Sequence, residues 1–303
     1  MFIGYEPWEE QYFEDIELPD NLIICCGDHD AWRHYLEYNW VYNKIKLCET
    51  QKIVACPHGV IPLNFPVFSK PIINLHGMGS GAKKLFGWDY RDYIPGHFWM
   101  PVLRGEHLST DFAVAKGTQK WSHTMKCYKD KKGRVKYWET SNKDHEAVIE
   151  KLILWIHNNL EEFSGIVNLE TINNKIIDCH LRMSPQFVDL YGLEWLKSVI
   201  HLYEYEHWDY PTKKYTGYSM PLWTTQDGLY DINHAELDTL KENEKISSIQ
   251  ITFDEKYCVS EESSDNENYR LAVVNGTDLK EIEKTIEKLK EAIILNPNKY
   301  FQA

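Results

Sequence analysis

Apolar and polar positions recur along this chain with two periods, and the elements change where the period changes. Val148, Ile149, Leu152, Ile153, Ile156, Leu160 and Phe163 return at steps of three and four. That spacing predicts an amphipathic helix over 144–163, opened by Ser141 or Asn142 and closed before Gly165. Further helices are predicted over 190–205 and, with Asp278 as its cap, over 279–295. The stretch 31–50 is helix-compatible through Trp32, Tyr35, Leu36, Trp40 and Leu47. Short β-branched runs predict strands at 21–26, at 65–70 continuing through 71–75, at 111–115, at 248–253 and at 269–274. Hairpins are predicted around the KDKKG turn at 129–133 and across Asn173 and Asn174, which separate 166–171 from 175–181. Residues 1–20 read as an acidic, aromatic, extended arm, 206–235 as an aromatic, turn-rich segment, and 260–268 as an acidic loop. Helices and strands are mixed, with many hairpins, which predicts an α+β fold rather than a purely parallel sheet.

Composition narrows the function classes. The 303 residues carry 46 Asp and Glu against 33 Lys and Arg, a formal charge of −13. An acidic chain is a poor coat for a polyphosphate backbone, so no nucleic-acid partner is expected. Aromatics at 14% exclude disorder over the whole length. No apolar run is long enough for a membrane span, and the first 20 residues lack the basic and apolar regions of a signal peptide. Seven Cys without a CxxC pair suggest reduced thiols and a cytoplasmic setting. Cys25, Cys26 and His29 read as a buried strand end before they read as a zinc site.

Two clusters can carry chemistry. Lys70 closes a strand and is followed by GMGSG at 77–81. A lysine offers a point charge to phosphate, and a glycine-dense loop lets backbone N–H groups close over phosphate oxygens. A structural turn explains the loop equally well, because it matches neither GxGxxG nor the P-loop. The second cluster is the hairpin from Glu170 to Arg182. Asp178, His180 and Arg182 lie at period two and share a face, with Glu170 on the partner strand. Carboxylates on one face suit a hard cation such as Mg²⁺, and the guanidinium suits a transferring phosphoryl group. A solvated strand face with an ion pair is the plain alternative.

Taken in order, these segments resemble the ATP-grasp superfamily. NKIKLCETQKIVACPHGVIP looks like its lysine-led helix and turn, and FPVFSKPIINLHGMGSG like its strand and phosphate loop. LRGEHLSTD resembles the linker strand, VNLETINNKIIDCHLRMS the metal hairpin, and RLAVVNGTDLKEIEKTI the closing strand and helix. The resemblance covers about 40–185 well and the rest loosely. It implies two α/β lobes with ATP held between them: a short N-terminal region at 1–44, a small lobe at 45–100 and a large lobe at 101–303. Lys44 and Lys70 would be the nucleotide lysines. Gly77, Gly79, Ser80 and Gly81 would close over the terminal phosphates, and Met100, Val102 and His107 would line the nucleotide. Glu170, Asp178 and His180 would hold Mg²⁺ or Mn²⁺, and Arg182, with Lys70, would serve phosphoryl transfer. The implied activity is an ATP-dependent ligase forming C–N or C–S bonds. It activates an unidentified small-molecule or peptide carboxylate as an acyl phosphate for an amine or thiol. A non-catalytic nucleotide-binding protein and a small-molecule kinase are the alternatives. Against the family pattern, His180 stands where asparagine is usual, Met100 where the hinge glutamate is usual, and His107 where the linker glutamate is usual, with Glu106 beside it. The region before Lys44 is short. Ser184, Gln186 and 208–223 are the candidate acceptor pocket. His76, Lys83 and Lys84 are further phosphate candidates, Lys126 and Arg134 could face the cleft, and His157 reads as a partly buried packing residue.

Overall fold

A computed structural model describes residues 1–14, 16–77, 79–131, 133–141, 145–209, 216–259, 264–265 and 268–296. Its body is a nine-stranded antiparallel sheet. The order is β11 (Lys175–His180), β10 (Gly165–Ile172), β7 (His107–Ala115), β8 (Thr118–Lys129), β9 (Val135–Thr140), β12 (Tyr218–Thr224), β16 (Asn268–Gly276) and β14 (Ile246–Ile251), with β15 (Ser264–Asp265) also on β16. A four-stranded sheet follows the order β3 (Cys56–Pro57), β6 (His97–Pro101), β4 (Val67–Pro71), β5 (Lys83–Leu85). Residues 102–106 carry the chain from β6 to β7, from one sheet to the other. Two short pairs complete the strands: β1 (Phe2–Ile3) with β2 (Ile24–Cys25), and β13 (Tyr230–Ile232) with β17 (Ile293–Leu295). The helices are α1 (Asp28–His34), α2 (Lys44–Thr50), α3 (Glu146–Asn159), α4 (Val188–Tyr191), α5 (Leu193–Tyr205), α6 (His234–Lys241) and α7 (Leu279–Ala292).

The alternation along β7 shows why the large sheet sits centrally. Leu108, Phe112 and Val114 join Leu152, Trp155 and Ile156 of α3 on one face. Ala113 and Ala115 join Tyr191, Trp195 and Leu196 of α4 and α5 on the other. A strand covered on both sides buries nearly every residue, and Phe112→Ala would cost about 3–5 kcal/mol. A third core, built on Ala272, Val274, Ile282, Ile286 and Leu289, packs α7 against β16.

Several elements differ from expectation. The 144–163 helix is α3, with His145 as its cap residue; the Ser141 hydroxyl bonds the His145 ring, and Asn142 lies outside the described residues. The 190–205 helix is broken at Gly192, whose φ of 86° no helix accepts. The 31–50 stretch contains α1, a 3-10 turn at Asn39–Tyr42 and α2. The strand through 71–75 ends at Pro71. The N-terminal arm is not simply extended: Pro7–Tyr12 forms a 3-10 turn, and Phe2, Tyr12 and Phe13 are buried because their rings pack into the α4–α5 core. His157 is exposed rather than partly buried. The KDKKG turn and the acidic 260–268 loop fall partly outside the described residues.

Candidate functional site

Asn173 and Asn174 both take positive φ, 53° and 60°, which turns the chain in two residues and sets the register of β10 on β11. In that register Glu170 stands opposite Asp178 and Asn168 opposite His180. The next ladder places Ser109 beside Glu170 and Asp111 beside Asn168. Directly opposed residues share a face. One face of this end of the sheet therefore carries Glu170, Asp178, His180, Asn168 and Asp111 together.

β11 is the edge of the sheet, and an open edge leaves its outer N–H and C=O groups unpaired. N-terminal segments fill it residue by residue. Gln51 accepts from the Ile176 N–H at 2.7 Å and donates to the Ile176 carbonyl at 2.9 Å. Lys70 Nζ donates to the Ile177 carbonyl at 2.7 Å. Lys44 pairs with the Asp178 carboxylate. Asp28 takes His180 Nδ1 at 2.9 Å, the Tyr42 hydroxyl accepts from the Leu181 N–H at 3.1 Å, and the Cys25 carbonyl accepts from the Met183 N–H at 2.9 Å. The two lysines thus converge on adjacent residues of one strand.

Local sequence explains how they arrive. Asn43 caps α2 through its side chain, which accepts from the Ile45 and Lys46 N–H groups, so Lys44 occupies the first helical position. Its own N–H donates to the Ile72 carbonyl just past β4. Lys70 lies one residue before the end of β4, with its ammonium over the Phe98 ring, 6.0 Å from the centroid. Burial pushes the Lys70 pKa down to about 8 against the pull of Asp178, and the Lys44 ammonium adds to the depression.

The carboxylates face each other with different companions. Glu170 Oε2 lies 3.0 Å from His107 Nε2. Burial raises the Glu170 pKa, yet the His107 hydrogen bond and charge, with His180 and Lys44 beyond, hold it at about 2. Both carboxylates keep access to solvent, with 29% of the Glu170 side chain and 23% of the Asp178 side chain exposed. His180, expected as their third metal-holding partner, is held by Asp28 through one ring nitrogen. Its Nδ1 sits on Asp28, its Nε2 is 4.0 Å from Asp178, and its side chain is buried. Among the described residues no three His, Cys, Asp or Glu groups gather closely enough to hold an ion unaided. The chemistry of the donor set still fits Mg²⁺, which takes one or two carboxylates and completes its shell from phosphate oxygens and water.

Arg182 follows on the same side, its Nε 3.1 Å from Asp28. Asp28 also receives the Tyr42 hydroxyl at 3.2 Å. Burial works against ionising Asp28, but Arg182 and His180 keep its carboxyl well below the usual range. The same contact, against burial, holds His180 above the ordinary imidazole range. Asp28 and Tyr42 did not stand out in the sequence. The available signal was an acidic residue just after the apolar run at 21–26, opening a helix.

The glycine loop leaves β4 beyond Lys70 and returns in β5. Gly77, Gly79 and Gly81 all take φ near +70°, and a Cβ at Gly77 or Gly79 would meet nothing within 4 Å. Those residues leave open space and freely aimed backbone. Asn74 steadies the loop by donating to the Gly77 carbonyl at 2.8 Å, and Ser80 N–H reaches the same carbonyl at 3.3 Å. Met100 points into the core with Phe98 and Cys48, so only its backbone can face a ligand, and Val102 is half-buried in the crossing to β7. His76, Lys83 and Lys84 are exposed. Lys126 pairs with Glu106, and Arg134 is spent on Asp130 and Asn268, so Arg134 is a hairpin brace rather than a cleft residue. Gln186 donates to the Ser219 hydroxyl at 3.1 Å; part of 208–223 lies outside the described residues.

No family model matches the sequence, and no curated protein matches it. Solved structures do. The chain is similar to L-amino acid ligase from Bacillus licheniformis, with a TM-score of 0.64 and 12% identity over 95% of this chain and 83% of that one. Phosphoribosylamine–glycine ligase from Thermotoga maritima gives 0.60 and 13% identity over 97% and 87%. Phosphoribosylglycinamide synthetase from Anaerococcus prevotii gives 0.56 and 14% identity over 97% and 88%. At such identities the shared property is the fold. The chain has the ATP-grasp fold.

Proposed function

We propose that this chain binds ATP between its four-stranded and nine-stranded sheets and uses it to activate a carboxylate for attack by an amine or thiol. The observation that supports this most is the meeting of Lys44 and Lys70 on β11 beside Glu170 and Asp178. Two ammonium groups, two half-open carboxylates and a glycine loop on one strand continuation are what a triphosphate with a divalent cation requires. The similar solved structures bear the names of two ligases and a synthetase, which agrees with this class of reaction.

In this reading Lys44 and Lys70 neutralise phosphate oxygens, and the N–H groups of Gly77, Gly79, Ser80 and Gly81 close over the terminal phosphates. Backbone at Met100 and Val102, with His107 beyond, lines the nucleotide. Glu170 and Asp178 would hold Mg²⁺ or Mn²⁺, which when bound would offset charge on the phosphate oxygens. An oxygen of the substrate carboxylate attacks the terminal phosphorus, the bond to the bridging oxygen breaks, and ADP leaves. Arg182 stabilises the group in transit. The amine or thiol then attacks the acyl carbon, phosphate departs, and the nucleophile's proton passes to solvent. The chain would divide into a short N-terminal region at 1–44, a small lobe at 45–100 and a large lobe at 101–303.

One observation favours a second reading. His180 is bound to Asp28, and among the described residues no three groups gather closely enough to hold a cation. A protein that binds the nucleotide without turning it over would tolerate that. ADP release, screened over small carboxylic acids with amine acceptors, separates the two: acceptor-dependent release supports the ligase, and binding without release supports the binder.

A further inference from the structure

Asp28 lies in the N-terminal segment, far in sequence from the hairpin it touches, and its burial needs an explanation. A carboxylate taken from water costs several kcal/mol unless donors meet it. Here three do: His180 Nδ1 at 2.9 Å to both oxygens, Arg182 Nε at 3.1 Å, and the Tyr42 hydroxyl at 3.2 Å. Two of these three donors belong to the strand end that carries Asp178. Tyr42 is itself fixed, since its oxygen also accepts the Leu181 N–H, and the Met183 N–H is fixed by the Cys25 carbonyl.

The consequence is directional. With Nδ1 on Asp28, the His180 ring presents Nε2 toward Asp178, 4.0 Å away. With Nε on Asp28, the planar guanidinium of Arg182 has its orientation set. Among the described residues Asp28 is the carboxylate within ion-pair range of Arg182. A cation already held in place loses little side-chain freedom when an anion arrives, and that preorganisation favours binding.

We propose that Asp28 is a positioning residue for the phosphoryl end of the site, acting through Arg182 and His180, so that the N-terminal segment completes the centre from outside both sheets. This rests on the nucleotide reading above. It goes beyond that reading by assigning a role to a residue that need not touch the nucleotide.

The test is calorimetric titration of the full chain in Mg²⁺ buffer with ADP and with an ATP analogue whose β–γ bridge cannot be hydrolysed. Asp28→Asn keeps the shape and removes the charge. The expected result is about a tenfold loss of analogue affinity with ADP affinity unchanged, the scale of one charge-assisted bond. Arg182→Ala gives a similar or larger loss, and the double variant loses clearly less than the sum of the two single losses. Equal losses for both nucleotides, additive losses in the double variant, or no loss at all would each overturn the role. Unchanged ADP affinity also certifies that the variant is folded. Should Asp28→Asn not fold, Tyr42→Phe removes one of the bonds to Asp28; about a threefold loss confined to the analogue supports the role, and no selective loss overturns it. Wild type that binds neither nucleotide would overturn the site itself, a result distinct from all of these patterns.

Discussion

Lys44 and Asp178 are 134 residues apart in sequence and form an ion pair in which the lysine side chain is only 4% exposed. The pair joins the start of α2 to the edge of the large sheet, so it fastens one wall of the proposed cleft to the other. Removing one member leaves the other with no opposite charge in a poorly solvated place. Lys44→Ala should therefore cost about 2–4 kcal/mol in urea unfolding, while Lys44→Met with Asp178→Leu should recover most of it. The double variant would still lose nucleotide binding, because packing is restored and the charges are not.

Lys70 links proton uptake to ligand binding. Burial holds its pKa at about 8, so near pH 8.5 much of it is neutral in the free protein. A phosphate at its side favours the charged form and raises that value. Binding of ATP should then take up protons above about pH 7.5, and affinity should fall as pH rises through 8. Calorimetry in buffers of different ionisation heats reads this directly, and Lys70→Met should remove the proton uptake.

His123 gives a stability signature outside the site. It stacks on Trp121 at 6.0 Å between centroids and meets Tyr191 edge-on at 5.0 Å, and its buried Nε2 has no bonding partner among the described residues. Burial lowers its pKa to about 4. Between pH 6.5 and 4 the unfolded chain takes a proton that the folded chain refuses, so this residue's contribution is lost as pH falls through that window. His123→Phe should flatten the urea midpoint between pH 6.5 and 4.

The glycine loop separates strain from crowding. A Cβ at Gly79 meets no atom within 4 Å, so Gly79→Ala is opposed by its φ of 66° alone. The cost is about 1–2 kcal/mol within the loop, with little change in the global melting temperature, because loops open locally. Affinity for ATP should drop more than affinity for ADP if this loop covers the terminal phosphates, and titration of the variant with both measures it.

Much of this was legible in sequence where period and chemistry coincided. The heptad-like spacing of α3, the Asp278 cap of α7 and the Asn173–Asn174 turn are local signals, and the structure keeps all three. The face shared by Glu170, Asp178 and His180 followed from strand periodicity. Where His180 would point did not, because its partner Asp28 comes from a helix that no local pattern links to the hairpin. The break at Gly192 was missed for a related reason: apolar spacing runs through it, and one backbone angle decides it. The buried arm at Phe2, Tyr12 and Phe13 reads as acidic and extended by composition, yet its aromatic rings find a core built by α4 and α5.

The most direct measurement is titration of the wild-type chain and of Glu170→Ala with ATP and Mg²⁺. The account expects saturable one-to-one binding by the wild type, clearly weakened in Glu170→Ala and dependent on the divalent cation. Absence of binding by the wild type, or binding left unchanged in Glu170→Ala, would contradict it.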